Sequence, residues 1–129
     1  MSLIRRRLRR RATLAGAAVA ALLVTAPTTA ADDLECGIIM PAADQLEREF
    51  NRIRPGAAPP AGVEGGITHA ASPLFGLTSP AAVDLRLWAS TLAAEVNRTN
   101  PYRPADRGQI ARDLEQARLA LTAAREFCG

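Results

Sequence analysis

Two cysteines, Cys36 and Cys128, restrict the fold of this chain more than any other feature of its sequence. They are the only cysteines among 129 residues, and Cys128 is followed by a single residue. In an exported protein, an isolated pair of this kind predicts one disulfide. Closing a loop of about ninety residues would stabilise the fold by about 4 to 5 kcal/mol on the chain-entropy model. The sequence therefore predicts a small domain whose two ends are tied together.

The first thirty residues have the three parts of a secretory signal peptide. Arginines dominate residues 5–11, an apolar run fills 14–26, and small residues at 28–30 predict cleavage before Ala31. The apolar run is shorter than the roughly 20 residues that a membrane-spanning helix needs. The Arg10-Arg11 pair also loosely resembles a twin-arginine export signal, so the Sec and Tat export routes both stay open. We expect a protein secreted or held at the cell envelope, with no membrane span after cleavage.

An alternative role for Cys36 is that of a lipid-anchored cysteine. Glu35 directly precedes it, where a lipobox requires a small residue, and such an anchor would leave Cys128 unpaired. The disulfide is therefore the better interpretation.

The charge of the chain changes sign when the signal peptide is removed. The whole chain carries 16 basic and 13 acidic residues, a net charge of +3. Six basic and no acidic residues lie in 1–30, so 31–129 holds ten basic and thirteen acidic residues, a net charge of −3. A net negative charge disfavours nucleic acid as a partner. What remains is enough chain for a single secreted domain.

Apolar residues recur at helical spacing in three segments of the mature chain. The first segment covers 39–53, with Pro41 marking either its first helical position or a kink. The second begins with Ser79 as N-cap and Pro80 at the first helical position. The third begins with Asp106 as N-cap. The apolar positions of these segments are Ile39, Ala43, Leu46, Phe50 and Ile53; Ala81, Leu85, Trp88, Leu92 and Val96; and Ile110, Leu114, Ala117, Leu121, Ala124 and Cys128.

A segment rich in proline and glycine, 55–80, separates the first two predicted helices. We expect a long loop here, whose apolar second half forms a lid or a short helix. No useful period-two alternation occurs, so the predicted fold class is all-α, a three- to four-helix bundle stapled by the disulfide.

The sequence carries little chemistry of the kind that enzymes use. His69 is its only histidine, both cysteines are assigned to the disulfide, and the serine-hydrolase motif GxSxG is missing. Glu64 lies five residues before His69, which is weak support for a catalytic pair. A zinc site would need several His or Cys ligands. We therefore expect neither an enzyme nor a metal centre.

The last helix resembles the closing signature of the mycobacterial haemophore-type haem-binding domain. The matching residues are Asp113-Leu114, Arg118, Leu121-Thr122 and Cys128-Gly129, together with Asn100-Pro101 between the last two helices and Phe50 and Pro55 at the end of the first. The resemblance implies a secreted all-helical domain of actinobacterial type, with a cysteine near each end, that binds haem.

The haem ligands of that family are not retained. The family uses a tyrosine in the first helix, a histidine just before the closing proline and a histidine in the penultimate helix. Phe50, Arg54 and Val96 occupy the matching positions in this chain. None of these three side chains can ligate iron.

Other side chains could hold haem in a different way. Imidazole, phenolate and thioether groups all ligate haem iron, which makes His69, Tyr102 and Met40 the candidate ligands. We expect the haem to lie in a crevice lined by Phe50, Phe75 and Trp88, with Arg54 forming an ion pair with a haem propionate. Trp88 could instead be an anchor of the hydrophobic core. Two readings follow: a haemophore-related protein that passes haem or porphyrin to an envelope partner, or a stapled helical interaction module without haem.

Overall fold

A computed structural model describes residues 30–97 and 106–129 of the chain. Four α-helices follow one another there: α1 (Ala30–Phe50), α2 (Val63–Ala71), α3 (Pro80–Glu95) and α4 (Arg107–Cys128). A short 3₁₀ turn, Ser72–Leu74, follows α2 directly. The described residues contain no strand. The predicted signal peptide apart from Ala30, and the candidate ligand Tyr102, lie outside the described residues.

Helix α1 is longer than the sequence pattern predicts. It begins at Ala30, one residue before the predicted cleavage point, and continues through Pro41 to Phe50. The prediction that the helix starts at Pro41 is therefore wrong. Pro41 is exposed, so its missing N–H costs one hydrogen bond on the solvent side while the buried stripe of the helix continues past it. That stripe consists of Ile39, Ala42, Ala43, Leu46 and Phe50.

Helix α2 lies inside the segment that was predicted to be a loop. The prediction of a long loop is therefore wrong for residues 63–74. The short helix that was the alternative for the second half of the segment does form, but it begins earlier than expected, at Val63. Gly62 precedes α2 with a φ of 83°, a left-handed conformation that favours glycine. Gly65 and Gly66 weaken helix propensity, but the apolar spacing outweighs them because one face becomes fully buried. The buried residues are Val63, Ile67, Ala70, Ala71 and Leu74.

Helices α3 and α4 begin where the sequence predicts. The Ser79 side chain accepts a hydrogen bond from the backbone N–H of Ala82, and Pro80 is the first helical residue. Asp106 accepts from the backbone N–H groups of Gly108 and Gln109, at 2.9 and 3.2 Å. Both caps satisfy amide groups that have no partner within the helix.

The four helices enclose one hydrophobic core. Helix α4 packs against α1 and α3, and α2 packs against the same two helices. Cys36 on α1 and Cys128 on α4 form the predicted disulfide, with their Cα atoms 5.4 Å apart. The predicted class, an all-α bundle with its ends joined by one disulfide, is confirmed. None of the described helices has the length and apolar character needed to cross a membrane.

Candidate functional site

A cleft between α2 and α3 contains one of the predicted site residues, Phe75. It has a volume of about 270 Å³. Its floor is alanine, since Ala71, Ala89, Ala93 and Ala94 leave space where larger side chains would fill the groove. Its remaining lining residues are Glu64, Thr68, Phe75, Ser90 and Asn97. The cleft therefore offers an apolar floor with polar groups along its sides.

Two rows of side chains form the walls of the cleft. Residues of one helix that are three or four positions apart share a face, which groups Glu64 and Thr68 on α2 and Ser90 and Ala94 on α3. Asn97 follows just beyond the end of α3. The two helices pack against each other and line the cleft along their length. Residues 72–79 lead from the end of α2 back to the start of α3, so the two helices run antiparallel. Phe75 therefore lies at the end of the cleft near the start of α3, and Glu64 lies at the opposite end.

An arginine and an aromatic ring meet at the Phe75 end. Phe75 is 60% exposed, and the guanidinium carbon of Arg86 lies over its ring, 5.4 Å from the centroid. This is a cation–π contact between half-solvated groups. An exposed aromatic ring beside a cleft is available to a ligand, because its apolar surface is not used by the core.

A second cleft lies on α4, on the outside of the bundle. Its volume is about 310 Å³, and it is the more open of the two. It is lined by Pro55, Ala111, Leu114, Glu115, Arg118, Leu119 and Thr122. None of the candidate ligands from the sequence lies there, and Arg118 is already engaged: its guanidinium donates to Asn51 Oδ1 at 3.1 Å and to the Phe50 carbonyl at 3.4 Å.

His69 lies on α2 and not on a loop. It is exposed and does not line the α2–α3 cleft. Five positions on an α-helix are about 140° apart around the axis, so Glu64 and His69 point in different directions. The helix therefore separates the side chains of Glu64 and His69. Glu64 lines the cleft together with Thr68, and His69 does not.

The predicted pocket of Phe50, Arg54, Phe75 and Trp88 does not form as one crevice. Phe50 is fully buried because it continues the core stripe of α1. Arg54 is exposed beyond the end of α1, and Trp88 is half-buried against the core. Only Phe75 of these four lines the α2–α3 cleft.

The positions that match the ligands of the haemophore-type family have no free donor for iron. Phe50 and Val96 are buried apolar side chains, and Arg54 is a cation. Met40, the candidate thioether ligand, is exposed on α1 and does not line either cleft. The described residues contain no group of three or more His, Cys, Asp or Glu side chains that could hold a metal ion. The side chains present therefore do not fit haem ligation of the family's type.

The residues that carry the family resemblance hold the scaffold together. Leu114 and Leu121 are core residues, and Cys128 forms the disulfide. Arg118 binds the last carbonyl of α1, as described above, and thereby ties the end of that helix to α4. The sequence singled out Arg118 only through the family resemblance, because a contact between residues so far apart leaves no periodic signal.

Asp113, another residue of that signature, is buried in the bundle. Its Oδ1 accepts a hydrogen bond from the Gln109 side chain at 2.9 Å. Its Oδ2 is buried and has no hydrogen-bond partner in the described residues. A buried oxygen without a partner is costly. Asp113 lines neither cleft.

Two carboxylates of α1 have lowered pKa values, and both make contacts between helices. Hydrogen bonds from Ser79, with those from Thr78, lower the pKa of Glu35. A hydrogen bond and the charge of Arg125 lower the pKa of Glu47. Arg125 also donates to Asp44, at 2.9 Å, the same distance as to Glu47. These groups join α1 to the start of α3 and the end of α4.

The cleft residues Thr68 and Ser90 were not predicted from the sequence, and neither was Arg86, which contacts the cleft residue Phe75. The only signal that could have found them is the recurrence of small residues at 86–97 beside an arginine, which alone predicts nothing more than close helix packing. No family model, curated protein or solved structure matches the chain. The resemblance to the haemophore-type domain thus remains a hypothesis that rests on the residues of α4.

Proposed function

We propose that this chain is an extracytoplasmic binding module, not an enzyme, and that the α2–α3 cleft is its binding site. The observation that carries the proposal is the cleft itself, an alanine-floored groove that ends at an exposed aromatic ring. Concave sites with apolar surfaces and a few polar groups are the usual form of small-ligand sites. The proposal places the protein at the cell envelope, after removal of the signal peptide.

The arrangement of the scaffold supports this role. The disulfide joins α1 to α4, and the cleft is formed by α2 and α3, which pack against both. A cleft on a rigid scaffold loses little conformational entropy when it binds a ligand. The polar groups Thr68 and Ser90 on its walls provide hydroxyl oxygens that can accept a hydrogen bond.

Haem or porphyrin is the second candidate ligand, in keeping with the resemblance to the haemophore-type domain. The observation that favours it is the exposure of His69, whose imidazole lies next in sequence to the cleft residue Thr68. Against it stand the side chains at the family's ligand positions, Phe50, Arg54 and Val96. A cleft of about 270 Å³ also lies below the range of about 300 to 1,000 Å³ typical of sites that enclose drug-sized molecules.

A haemin titration separates the two candidate functions. Haemin is added to the oxidised, secreted protein and to a His69→Ala variant, and the Soret band is recorded. We expect the spectrum of free haemin in both samples, which supports a binding module without haem. A saturable, red-shifted band that is lost in the variant would instead establish haem binding through His69. Met40 is the other candidate haem ligand among the described residues. A Met40→Leu variant is therefore titrated alongside, and a haem band that depends on His69 should be unchanged in it.

The location of the site can be tested without knowing the natural ligand. A library of small fragments is screened by NMR of alanine methyl groups in the same protein. We expect shifts at Ala71, Ala89 and Ala93, which line the α2–α3 cleft, and none at Ala111, which lines the second cleft. Shifts at Ala111 alone, or at no alanine, would contradict the assignment of the binding site.

A further inference from the structure

We propose that the α2–α3 cleft selects small aromatic carboxylates, with the ring of the ligand against Phe75 and its acid group paired with Arg86. The inference rests on the proposed function, because it names the ligand class of the same cleft. It is carried by the meeting of an exposed ring and a guanidinium at one end of the groove.

Arg86 is placed to contact a ligand in the cleft. It does not itself line the cleft, but its guanidinium lies over the lining residue Phe75. It also lies four positions before the lining residue Ser90 on α3, so the two side chains share one face of that helix. Within residues 30–97 and 106–129, no ion pair or hydrogen bond of the structure engages its guanidinium, and its contact is the ring of Phe75. A guanidinium that has no carboxylate partner retains the donors needed to bind one in bidentate geometry.

Phe75 supplies the preference for an aromatic body. The 3₁₀ turn fixes its backbone, since its N–H donates to the Ser72 carbonyl at 3.2 Å. Its neighbour Leu74 points into the core and is fully buried, while Phe75 points out. A ring held at the rim of a cleft offers its face or edge to a second ring, and such pairs are favourable beyond the area they bury.

The charges at the two ends of the cleft orient a ligand. Glu64, near the start of α2, lines the cleft at the end opposite Phe75 and Arg86. An acid group is attracted to the Arg86 end and repelled from the Glu64 end, and a cationic group has the reverse preference. The exposed ring is at the Arg86 end, so an aromatic acid can use both groups at once, whereas an aromatic amine cannot.

The size of the cleft sets the scale of the ligand. At about 270 Å³ it is below the typical range for drug-sized ligands, which starts at about 300 Å³. One fused ring system with a short acidic side chain is of suitable size. For a ligand with about 13 non-hydrogen atoms, we expect a dissociation constant on the order of 1 mM.

Three probes that share one ring system test the proposal. Indole-3-acetate, indole-3-acetamide and tryptamine carry an acid, a neutral amide and an amine on indole. Each is titrated into the oxidised, secreted protein, and the methyl signals of Ala71, Ala89 and Ala93 are followed by NMR. We expect saturable shifts with the acid, binding roughly five- to tenfold weaker with the amide, and no saturation with the amine.

Two variants assign the selectivity to Arg86. Arg86→Gln should weaken indole-3-acetate binding to the level of the amide, and Arg86→Lys should keep part of the preference because it keeps the charge. Arg48→Gln, at an exposed position on α1, is the matched control and should bind like the parent protein. The circular dichroism spectrum of each variant checks that the helices remain folded.

Each outcome of the titrations supports or overturns the ligand class proposed for the α2–α3 cleft. Equal or tighter binding of the amide or the amine would overturn the proposed ligand class and leave the cleft as the binding site. No saturable shift with any of the three probes would overturn the ligand class. If the fragment screen also left these alanines unchanged, the proposed function itself would fail.

Discussion

The carboxylate of Glu35 accepts a hydrogen bond from the backbone N–H of Ser79, 44 residues away, at 3.1 Å. The same Oε1 atom accepts from the N–H of Thr78 at 3.0 Å. Glu35 thus binds the chain at the start of α3, where unpaired amide groups and the helix dipole favour a negative charge. It directly precedes Cys36, so these hydrogen bonds and the disulfide hold the same turn of α1.

The contact of Glu35 with Ser79 makes stability depend on pH. The hydrogen bonds lower the pKa of Glu35 in the folded protein below its ordinary value of 4.5. A lowered folded-state pKa contributes stability that is present above the ordinary value and is lost as the pH falls through the lowered pKa. We therefore expect Glu35→Gln to lower the melting temperature at pH 7, and this effect to shrink steadily as the pH falls below 4.5 towards the lowered pKa.

The comparison needs a control because Glu47 also has a lowered pKa and loses its contribution in acid. The contribution of Glu47 is lost in both proteins, so it cancels when the melting temperature of Glu35→Gln is subtracted from that of the parent protein at the same pH. Glu126→Gln, at an exposed position on α4, should behave like the parent protein over the whole pH range. A destabilisation by Glu35→Gln that stays constant from pH 7 to pH 2.5 would contradict a role for the charge of Glu35.

The disulfide should supply a large share of the stability. On the chain-entropy model, a bond that closes a loop of 92 residues stabilises the fold by about 4 to 5 kcal/mol. We expect the double variant Cys36→Ser, Cys128→Ser to lose about that amount in denaturant unfolding monitored by circular dichroism. For a domain whose total stability is typically about 5 to 15 kcal/mol, the loss is severe.

Two measurements check the disulfide independently. A free-thiol assay on the denatured, unreduced parent protein should detect no thiol, and a reductant should destabilise the parent protein but not the double variant. Two reactive thiols in the unreduced protein would contradict the bond.

Gly65 and Gly66 provide a matched pair on α2. A Cβ atom at Gly65 would meet no atom within 4 Å, whereas one at Gly66 would collide with the carboxylate of Glu49 on α1. Gly65→Ala should stabilise the protein by about 0.5 to 1 kcal/mol through helix propensity. Gly66→Ala should stabilise the protein less than Gly65→Ala does. The side chain of Glu49 must move away from the new Cβ atom, which weakens its 2.8 Å ion pair with Arg52.

Urea unfolding of the two alanine variants measures the difference between them. In a Glu49→Gln, Gly66→Ala double variant the charge pair is already absent, so the cost specific to Gly66 should shrink. Equal gains at both positions in the parent background would show that the approach of α1 and α2 at Gly66 imposes no constraint.

Phe50→Tyr introduces the tyrosine that haem-binding members of the haemophore-type family carry at the position matching Phe50. Phe50 is fully buried, so the added hydroxyl would lie in the core without a partner, at a cost of about 1 to 3 kcal/mol. We expect thermal unfolding at a lower temperature and no red-shifted Soret band on haemin titration. Phe50→Leu, which adds no polar group, separates the cost of lost packing from that of the hydroxyl. A new Soret band in Phe50→Tyr would show that this part of the core opens to haem.

Much of the scaffold could be predicted from local signals. Ser79-Pro80 and Asp106 marked the starts of α3 and α4 because capping depends on residues within one turn. The apolar spacing of α4 placed Cys128 beside the core, which made Cys36 its natural partner. A short helix was one of two alternatives for this segment, but its start at Val63 was missed because Gly62, Gly65 and Gly66 are typical of loops, and packing against α1 and α3 makes the segment helical.

The candidate site was predicted far less well than the scaffold. Phe50 follows the same spacing as every other core residue of α1, and its burial excludes it from a pocket. His69 was assigned to a loop, whereas the helix turns it away from Glu64. Arg86 and Phe75 are eleven positions apart on two different elements, and no pattern in the sequence pairs them.

Local signals in the sequence establish the helical class and the starts of α3 and α4, because apolar spacing and helix capping depend on residues within a few turns. The cysteine pair was also predictable, because each of the two cysteines has only one possible partner in the chain. Tertiary structure alone decided that Glu35 binds the start of α3, that Arg118 holds the end of α1 and that Phe75 and Arg86 meet at a cleft. These contacts join residues far apart in the chain, and they exist only because packing of the buried helix faces fixes which outer side chains become neighbours.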